Sequence, residues 1–288
     1  MTFFVELLIG GLISGMVVGL AALAITLVFG IARFPNAATG DMMTAGAFVA
    51  LGISGTTGLV IVGGVVSAIL SAGVGMAMYV LVFRKLAGRT KVANLLASIG
   101  VAFFIRAAVA LTFGHQQQVF QLPLVRPWRI FDIRIQPIDV YSAMVAAITL
   151  AVAFSTLYAT PIGRRMRAVA DNPGLAQVSG ISPTQVMVAL WALAGAVSGV
   201  AGVMYGIKTV VTPEMGWDML VPAFAAAILG GIGNPIGAIC AGLLLGTLQE
   251  IATPFVGFTY KIAISFVVLL IVLLVRPAGL FGQTEGAR

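Results

Sequence analysis

Long apolar stretches alternate with short polar segments along this chain, and most of the apolar stretches are long enough to cross a lipid bilayer. A membrane-spanning helix needs about 20 predominantly apolar residues. The pattern predicts full helical spans at Phe3–Ile31, Gly58–Phe83, Val92–Phe113, Ile138–Ala159, Thr184–Ile207 and Phe258–Val275.

Two further apolar regions contain helix-breaking residues. Ala32–Ile53 begins with polar residues before it becomes apolar, and Leu220–Ile251 is interrupted by GGIGNP. The halves of the second region are about 11 and 17 residues long, short for a span. Broken backbone at membrane depth is tolerated only where protein buries it or water lines it. The predicted fold is therefore all-α, a polytopic membrane protein of about eight transmembrane segments with broken or re-entrant helices meeting at Gly230–Pro235.

The composition supports this interpretation, because 60% of the 288 residues are hydrophobic and only 9% are charged. Soluble domains have about 25% charged residues. The net charge of +7 fits the excess of Lys and Arg in cytoplasmic loops. The basic loops Phe83–Lys91 and Gly163–Arg167 are predicted to be cytoplasmic, which leaves the N-terminus and the loop 114–137 outside. In that loop, the alternating pattern WRIFDIRIQP predicts a short hairpin.

The sequence holds no motif for catalysis or cofactor binding. There is no G-x-x-x-x-G-K-S/T phosphate-binding loop, and Cys240 and His115 are the single cysteine and histidine. These two residues cannot supply a zinc site, and no base is placed to activate a nucleophile. We expect no cofactor, no metal and no enzymatic activity in this chain.

Polar residues within apolar stretches are costly and by default indicate function. Burial of Arg106 at mid-bilayer costs on the order of 3 kcal/mol, so it either pairs with a carboxylate or extends toward the outer interface. The other polar candidates can instead join helices by hydrogen bonds or cap helix ends, and capping is favoured for Asp41. The candidate substrate-pathway residues are Asn36, Thr39, Asp41, Asn94, Ser98, Arg106, Gly231 and Asn234.

The segment Thr160–Val186 lies between two spans on the predicted cytoplasmic side. GRRMRAVAD can form a short helix with its apolar residues on one side. DNPGLAQVSG then supplies a cap at Asp171 or Asn172, Pro173 at the first helical position and Gly180 as a stop. An apolar face outside the membrane indicates a protein partner. The alternative is a basic loop that only sets the topology.

This segment resembles the cytoplasmic coupling motif of ABC-importer permeases, a distant EAA-type loop, through Ala170, Ala176, Gly180 and Ile181. More widely, the chain is similar to the LivH-type permeases of branched-chain amino acid importers. The matching stretches run in family order from residue 11 to residue 282. They are GLISGMVVGLAALAITLVFGI, NAATGDMMTAGAFVA, GRRMRAVADNPGLAQVSGIS, AGAVSGVAGVMYG, AFAAAILGGIGNPIGAICAGLLLG and LLVRPAGLFG.

The resemblance implies a permease subunit of an ATP-driven importer for branched-chain or related small amino acids or amides. Its implied partners are a second homologous permease, two cytoplasmic ATPases that hydrolyse ATP and an extracytoplasmic binding protein, in the bacterial cytoplasmic membrane and without nucleic acid. Residues 1–288 would form a single permease domain, with a coupling loop at 161–183 and an outer loop at 114–137. The implied ATPase-coupling residues are Arg164, Arg165, Arg167, Ala170, Ala176, Gly180 and Ile181.

One departure from the family leaves the substrate open. Family members often have NFAHGE where Asn36–Asp41 reads NAATGD, so an aromatic residue and a histidine are missing. Permeases for urea, short amides, neutral amino acids and aromatic acids resemble the same family in sequence. A different class, an ion-coupled secondary transporter of small polar metabolites, would need an intramembrane carboxylate relay, for which Asp41 is the candidate.

Overall fold

A computed structural model describes residues 2–122, 125–130, 133–257, 260–276 and 279–282. Within these ranges the chain forms eleven α-helices and one two-stranded hairpin. α3 and α5 each end in a π-helical turn, at Tyr79–Phe83 and Ser155–Ala159. The elements are α1 Thr2–Ala32, α2 Ala38–Thr57, α3 Val60–Met78, α4 Lys91–Phe113, β1 Trp128–Ile130, β2 Ile133–Ile135, α5 Pro137–Phe154, α6 Pro161–Asp171, α7 Pro173–Val178, α8 Pro183–Lys208, α9 Met215–Gly230, α10 Pro235–Val256 and α11 Lys261–Val275.

Six of the described helices (α1, α3, α4, α5, α8 and α10) are long and apolar enough to cross a membrane, and α9 and α11 are shorter apolar helices. The prediction of a helical, multi-pass membrane protein is confirmed. Two predicted lengths are wrong. α10 has 22 residues because it continues through Pro254 to Val256, so it is long enough to span. The predicted span Phe258–Val275 contains a helix of only 15 residues, and its residues 258–259 lie outside the described part.

The segment between α1 and α2 is a sharp break between two helices. Arg33 has a positive φ of 58°, and a new helix, α2, begins at Ala38 and runs for 20 residues. Of the spans, α1 and α8 are largely buried, whereas α3, α4 and α5 expose most of their surface. The exposed faces of these outer helices are apolar, as a lipid-facing surface requires.

Glycines let two helix pairs, α1–α10 and α3–α8, pack with their backbones in contact. A Cβ added to Gly246 of α10 would lie 2.2 Å from the Cα of Gly15 on α1. A Cβ added to Gly195 of α8 would lie 2.3 Å from the carbonyl oxygen of Ser71 on α3. Small residues spaced by four positions allow helix backbones to touch in this way.

The end of α1 contacts both the end of α3 and α6 on one side of the molecule. The rings of Phe34 and Phe83, which follow α1 and end α3, stack with their centroids 5.2 Å apart. Arg33 donates a hydrogen bond to the Ala170 carbonyl of α6 at 3.0 Å. The two basic loops therefore lie on the same side of the molecule, as predicted.

The hairpin predicted in the outer loop is present. β1 and β2 pair antiparallel, with Trp128 opposite Ile135 and Ile130 opposite Ile133. The two residues at its tip, 131 and 132, lie outside the described part. Gln118 pairs by backbone with Val211, so the loop also rests on the connection between α8 and α9.

Candidate functional site

The first turn of α2 carries a cluster of buried polar residues. Asn36, Thr39 and Asp41 are all at most 2% exposed. Asn36 Oδ1 accepts a hydrogen bond from the Ala38 amide at 3.1 Å, and Thr39 Oγ1 donates to the Asn36 carbonyl at 3.0 Å. Asn36 thus accepts from one of the first amides of α2, which have no partner within the helix. Thr39 donates to the backbone carbonyl of Asn36, just before α2.

Asp41 forms a two-point ion pair with Arg106 of α4. Nε and Nη2 of Arg106 lie 2.9 and 3.1 Å from the two carboxylate oxygens. The Arg106 guanidinium also lies over the rings of Phe103 and Trp217, 5.3 and 5.2 Å from their centroids. Arg106 therefore turns inward to a carboxylate and does not extend to the interface. Asp41 serves as its partner, not as a helix cap.

Ser98 joins α4 to the break between α1 and α2. Its Oγ accepts from the Ala37 amide at 3.1 Å and donates to the Leu95 carbonyl at 2.7 Å. Ser98 is fully buried, and Asn94, one turn earlier on the same helix, is half-buried. The hydrogen bonds of Ser98 fit the interpretation that it joins helices.

α9 begins against the same turn of α2. Thr44 Oγ1 accepts a hydrogen bond from the Gly216 amide at 3.0 Å, and a Cβ on Gly216 would lie 1.9 Å from the Gly40 carbonyl. The structure thus brings together the starts of two helices, α2 and α9, with Arg106 from α4. Helix N-termini carry partial positive charge, which favours the carboxylate of Asp41 there.

The predicted pathway residues Gly231 and Asn234 belong to a different contact. Asn234 Oδ1 caps α10 by accepting from the Ile236 and Gly237 amides, each at 3.1 Å. Its side-chain amide donates to the Phe281 carbonyl at 3.3 Å. Gly231 has a φ of 97°, which suits glycine. The capping alternative fits Asn234, and within the described residues these hydrogen bonds do not reach α2 or α4.

A cavity of about 650 Å³ opens at the other end of the molecule, which by the predicted topology is the outer end. It lies between α1, α5, α8, α9, α10 and α11; we name it the outer cavity. Its described lining includes none of the eight predicted pathway residues. The lining residues are Ser14, Val17, Val18, Gln136, Ile138, Asp139, Tyr205, Ile207, Lys208, Thr209, Asp218, Met219, Pro222, Gln249, Glu250, Lys261 and Ile262.

Two ion pairs flank the outer cavity. Lys208 Nζ of α8 lies 3.1 Å from Asp139 Oδ1 of α5, and Lys261 of α11 pairs with Glu250 of α10. Ser14 of α1 also donates to Glu250 Oε1 at 3.0 Å. All four charged side chains are between 20% and 27% exposed. Sequence reasoning missed this site because charges near span ends are usual at membrane interfaces.

The predicted pair of short cytoplasmic helices is present as α6 and α7. Thr160 caps α6 by accepting from the Gly163 amide at 3.2 Å. Asn172, and not Asp171, caps α7 by accepting from the Leu175 amide at 3.0 Å. Pro173 occupies the first turn, and Gly180 has a φ of 81° where the chain leaves α7.

The predicted coupling residues divide into exposed and packed groups. Arg164, Arg165, Arg167 and Gly180 are exposed. Among them, Arg167 also folds back, donates to the Leu157 carbonyl and lies over the Tyr158 ring, 5.2 Å from its centroid.

The remaining coupling candidates hold the unit together. Ala176 is 4% exposed, its carbonyl accepts from the Ile181 amide at 3.0 Å, and the Ala170 carbonyl is bonded to Arg33. Ile181 is half-buried. These three residues act through packing and backbone bonds.

The apolar face predicted outside the membrane is present on α7, but its two exposed residues are not among the predicted coupling residues. Leu175 and Val178 are 65% and 87% exposed. They are three positions apart, which places them on one face of the helix. That spacing was the available signal.

Within the described residues, no group of three or more His, Cys, Asp or Glu side chains could hold a metal ion. The arrangement provides an internal polar junction, an outer charged cavity and an apolar surface on the opposite side.

Comparison with known proteins gives a consistent result. Residues 7–273 match the sequence model of the family described as the branched-chain amino acid transport system permease component. The high-affinity branched-chain amino acid transport system permease protein LivH of Salmonella typhimurium is 27% identical, over 98% of this chain and 97% of LivH. The ribose import permease RbsC of Bacillus subtilis is 33% identical, but over 45% of this chain and 44% of RbsC.

A solved structure shares the fold. PsaBC from Streptococcus pneumoniae, in complex with a Fab, superposes with a TM-score of 0.51 at 14% identity, covering 93% of this chain and 91% of that one. At this identity the likeness concerns the fold alone.

Proposed function

The chain belongs to the family of branched-chain amino acid transport system permease components, and on that premise we propose that it is the membrane subunit of an ATP-driven importer. In this proposal residues 1–288 act as one permease domain in the bacterial cytoplasmic membrane. The segment 161–183 is the coupling loop, and 114–137 is the outer loop. A second homologous permease completes the translocation path.

The observation that carries this proposal is the exposed apolar surface of α7. Leu175 and Val178 lie on the side where the basic loops collect, and the neighbouring Ala176 is packed inward. Apolar side chains exposed outside the membrane favour a protein partner. In an ATP-driven importer that partner is one of two cytoplasmic ATPases, which carry out the hydrolysis.

The contacts of α6 give a route for coupling. Arg33 links α6 to the end of α1, and Arg167 links it to the end of α5. A displacement of α6–α7 by the ATPase would therefore move α1 and α5 together. α5 also lines the outer cavity with its first turn, and α1 lines it with residues in its middle, Ser14, Val17 and Val18. We propose that ATP-driven closure rocks these helices and changes access to the path, while an extracytoplasmic binding protein delivers the substrate.

The proposed substrates are branched-chain or related small amino acids or amides. The near full-length similarity to LivH supports this class, and the similarity to the ribose permease covers less than half of the chain. Urea, short amides and aromatic acids stay as alternatives within the same importer class, because NAATGD replaces the usual family sequence at Asn36–Asp41.

Uptake into membrane vesicles tests the proposal. With the ATPases and the binding protein present, radiolabelled L-leucine should accumulate only when ATP is supplied on the side of the membrane where the ATPases are bound. An ion-coupled secondary transporter predicts the reverse, uptake that follows an ion gradient and ignores ATP. Purification of the chain from its native membrane without any ATPase subunit would count against the importer.

A further inference from the structure

Two acidic residues of the outer cavity are each followed four positions later by a proline. Asp218 precedes Pro222 in α9, and Glu250 precedes Pro254 in α10. Proline has no backbone N–H, so the regular helical hydrogen bonds to the Asp218 and Glu250 carbonyls cannot form. Each wall therefore has a carboxylate and a backbone carbonyl without its regular helical hydrogen bond, and both kinds of oxygen accept hydrogen bonds from an ammonium group.

The charges of the lining are mixed, with a small excess of carboxylates. Asp139, Asp218 and Glu250 face Lys208 and Lys261 across the described lining. Each of the four side chains of these pairs keeps between 20% and 27% of its surface exposed. A charged ligand that enters the cavity can therefore reach the pairs and exchange partners with them.

The inner part of the same cavity is apolar. Val17, Val18 and Met219 are at most 5% exposed and line it. Its volume of about 650 Å³ is within the usual range for small-molecule sites, about 300–1,000 Å³. Charged groups at the rim and apolar side chains below them match a molecule with a charged head and a small apolar tail.

We propose that the outer cavity of this single subunit binds a zwitterionic α-amino acid. The ammonium group of the ligand lies between α9 and α10, at the Asp218 and Glu250 oxygens. Its carboxylate pairs with Lys208 or Lys261, and its side chain packs on Val17, Val18 and Met219. This inference rests on the proposed function and adds to it a binding site outside the Asp41–Arg106 junction.

A filling variant tests whether the cavity is used. Ile262→Trp places a large ring at the cavity lining, whereas Phe266→Trp, one helical turn later on α11, lies outside that lining. In liposomes with the ATPases and binding protein, we expect L-leucine uptake to fall about tenfold for the first variant, a loss of about 1.4 kcal/mol. The second variant should match the wild type.

A proline variant tests the free carbonyl. Pro222→Ala restores an N–H that can bond to the Asp218 carbonyl, so we expect the half-saturating L-leucine concentration to rise while the thermal unfolding midpoint is kept or raised. Pro235→Ala is the control, because Pro235 is at the first position of α10, where no helical bond is lost. An unchanged half-saturating concentration for Pro222→Ala argues against the site.

Protection from alkylation reads out binding directly and does not depend on a bulky variant. Ile262→Cys, in a chain where the exposed Cys240 is replaced by Ser, is treated from outside with a membrane-impermeant maleimide. L-leucine should slow the reaction, whereas 4-methylpentanoate and 3-methylbutylamine, which each lack one of its charges, should not. Equal rates with and without L-leucine, in vesicles that import it with ATP, overturn the cavity site and leave the proposed function standing. Absence of ATP-driven L-leucine uptake in the wild type overturns the proposed function and, with it, this inference.

Discussion

Asp41 and Arg106 show how a costly residue becomes acceptable inside a membrane protein. The carboxylate is fully buried and the guanidinium is 18% exposed, so each charge needs the other. Removing one partner of such a pair costs about 3–5 kcal/mol, since the other charge is left buried and unpaired.

We therefore expect Arg106→Leu to lower the thermal unfolding midpoint and the yield of the purified protein strongly. Asp41→Asn combined with Arg106→Leu should recover part of that loss, because no unpaired charge is left. Arg126→Leu, at an exposed position of the outer loop, is the control for loss of a positive charge. A midpoint for Arg106→Leu no lower than that of Arg126→Leu contradicts a structural role for the pair.

Gly180 has a positive φ of 81° with open space around its Cα. A side chain there meets no neighbour, so a substitution acts through the backbone alone. The left-handed conformation costs about 1–2 kcal/mol for other residues.

Gly180→Val should shift the end of α7. We expect ATP-driven uptake to fall, and the stimulation of ATPase activity by substrate to fall with it, while the unfolding midpoint changes little. Gly88→Val is matched to it, since Gly88 has a φ of 85°, equally open surroundings and a place in the other basic loop. Equal uptake by the two variants would remove α7 from the coupling mechanism.

At the scale of elements, α7 is a six-residue helix with a buried face and an exposed face. Ala176 packs inward, and Leu175 and Val178 point away from the molecule. Because most of the surface of both side chains is exposed, they can be changed with little loss of folding energy.

Leu175→Ser with Val178→Ser should reduce the amount of ATPase that copurifies with the chain by about tenfold, which corresponds to about 1.4 kcal/mol of contact energy. Gln177→Ser changes an exposed residue of the same helix and should leave copurification as it is. If the double variant retains the ATPase fully, the docking surface lies elsewhere.

The α1–α10 contact depends on backbone approach at glycine. A Cβ on Gly15 would lie 2.8 Å from the Leu243 Cα, whereas a Cβ on Gly10 would meet nothing within 4 Å. Overpacking of this kind costs about 1–3 kcal/mol.

Gly15→Ala should therefore lower the unfolding midpoint in detergent, and Gly10→Ala, on the same helix, should not. The comparison cancels the general preference of helices for alanine over glycine. Equal midpoints would mean that α1 and α10 separate easily.

At the scale of the whole molecule, the polar regions lie in three separate places. The Asp41–Arg106 junction joins α2, α4 and α9, the outer cavity lies between six helices, and α6–α7 occupies the opposite side. α1 connects all three, since residues in its middle line the cavity and its end leads to Arg33 and the first turn of α2. A motion of this buried helix is the simplest way for one region to affect the others.

Local pattern determined much of this architecture. The length and apolarity of the stretches predicted five of the six long helices, α1, α3, α4, α5 and α8, because the bilayer fixes the length of a span. The caps and the stop of α7 are visible in the order Asn172, Pro173 and Gly180, since these residues act on their immediate neighbours. The family resemblance follows from the same local stretches.

Tertiary structure decided what depends on residues distant in the chain. Arg106 and Asp41 are 65 positions apart, so the sequence left open whether Arg106 pairs or extends outward. Ala176 and Val178 look equally apolar in sequence, and only packing makes one buried and the other exposed. The outer cavity is formed by side chains from six helices. The sequence pattern of one helix does not show which faces of the other helices it will meet.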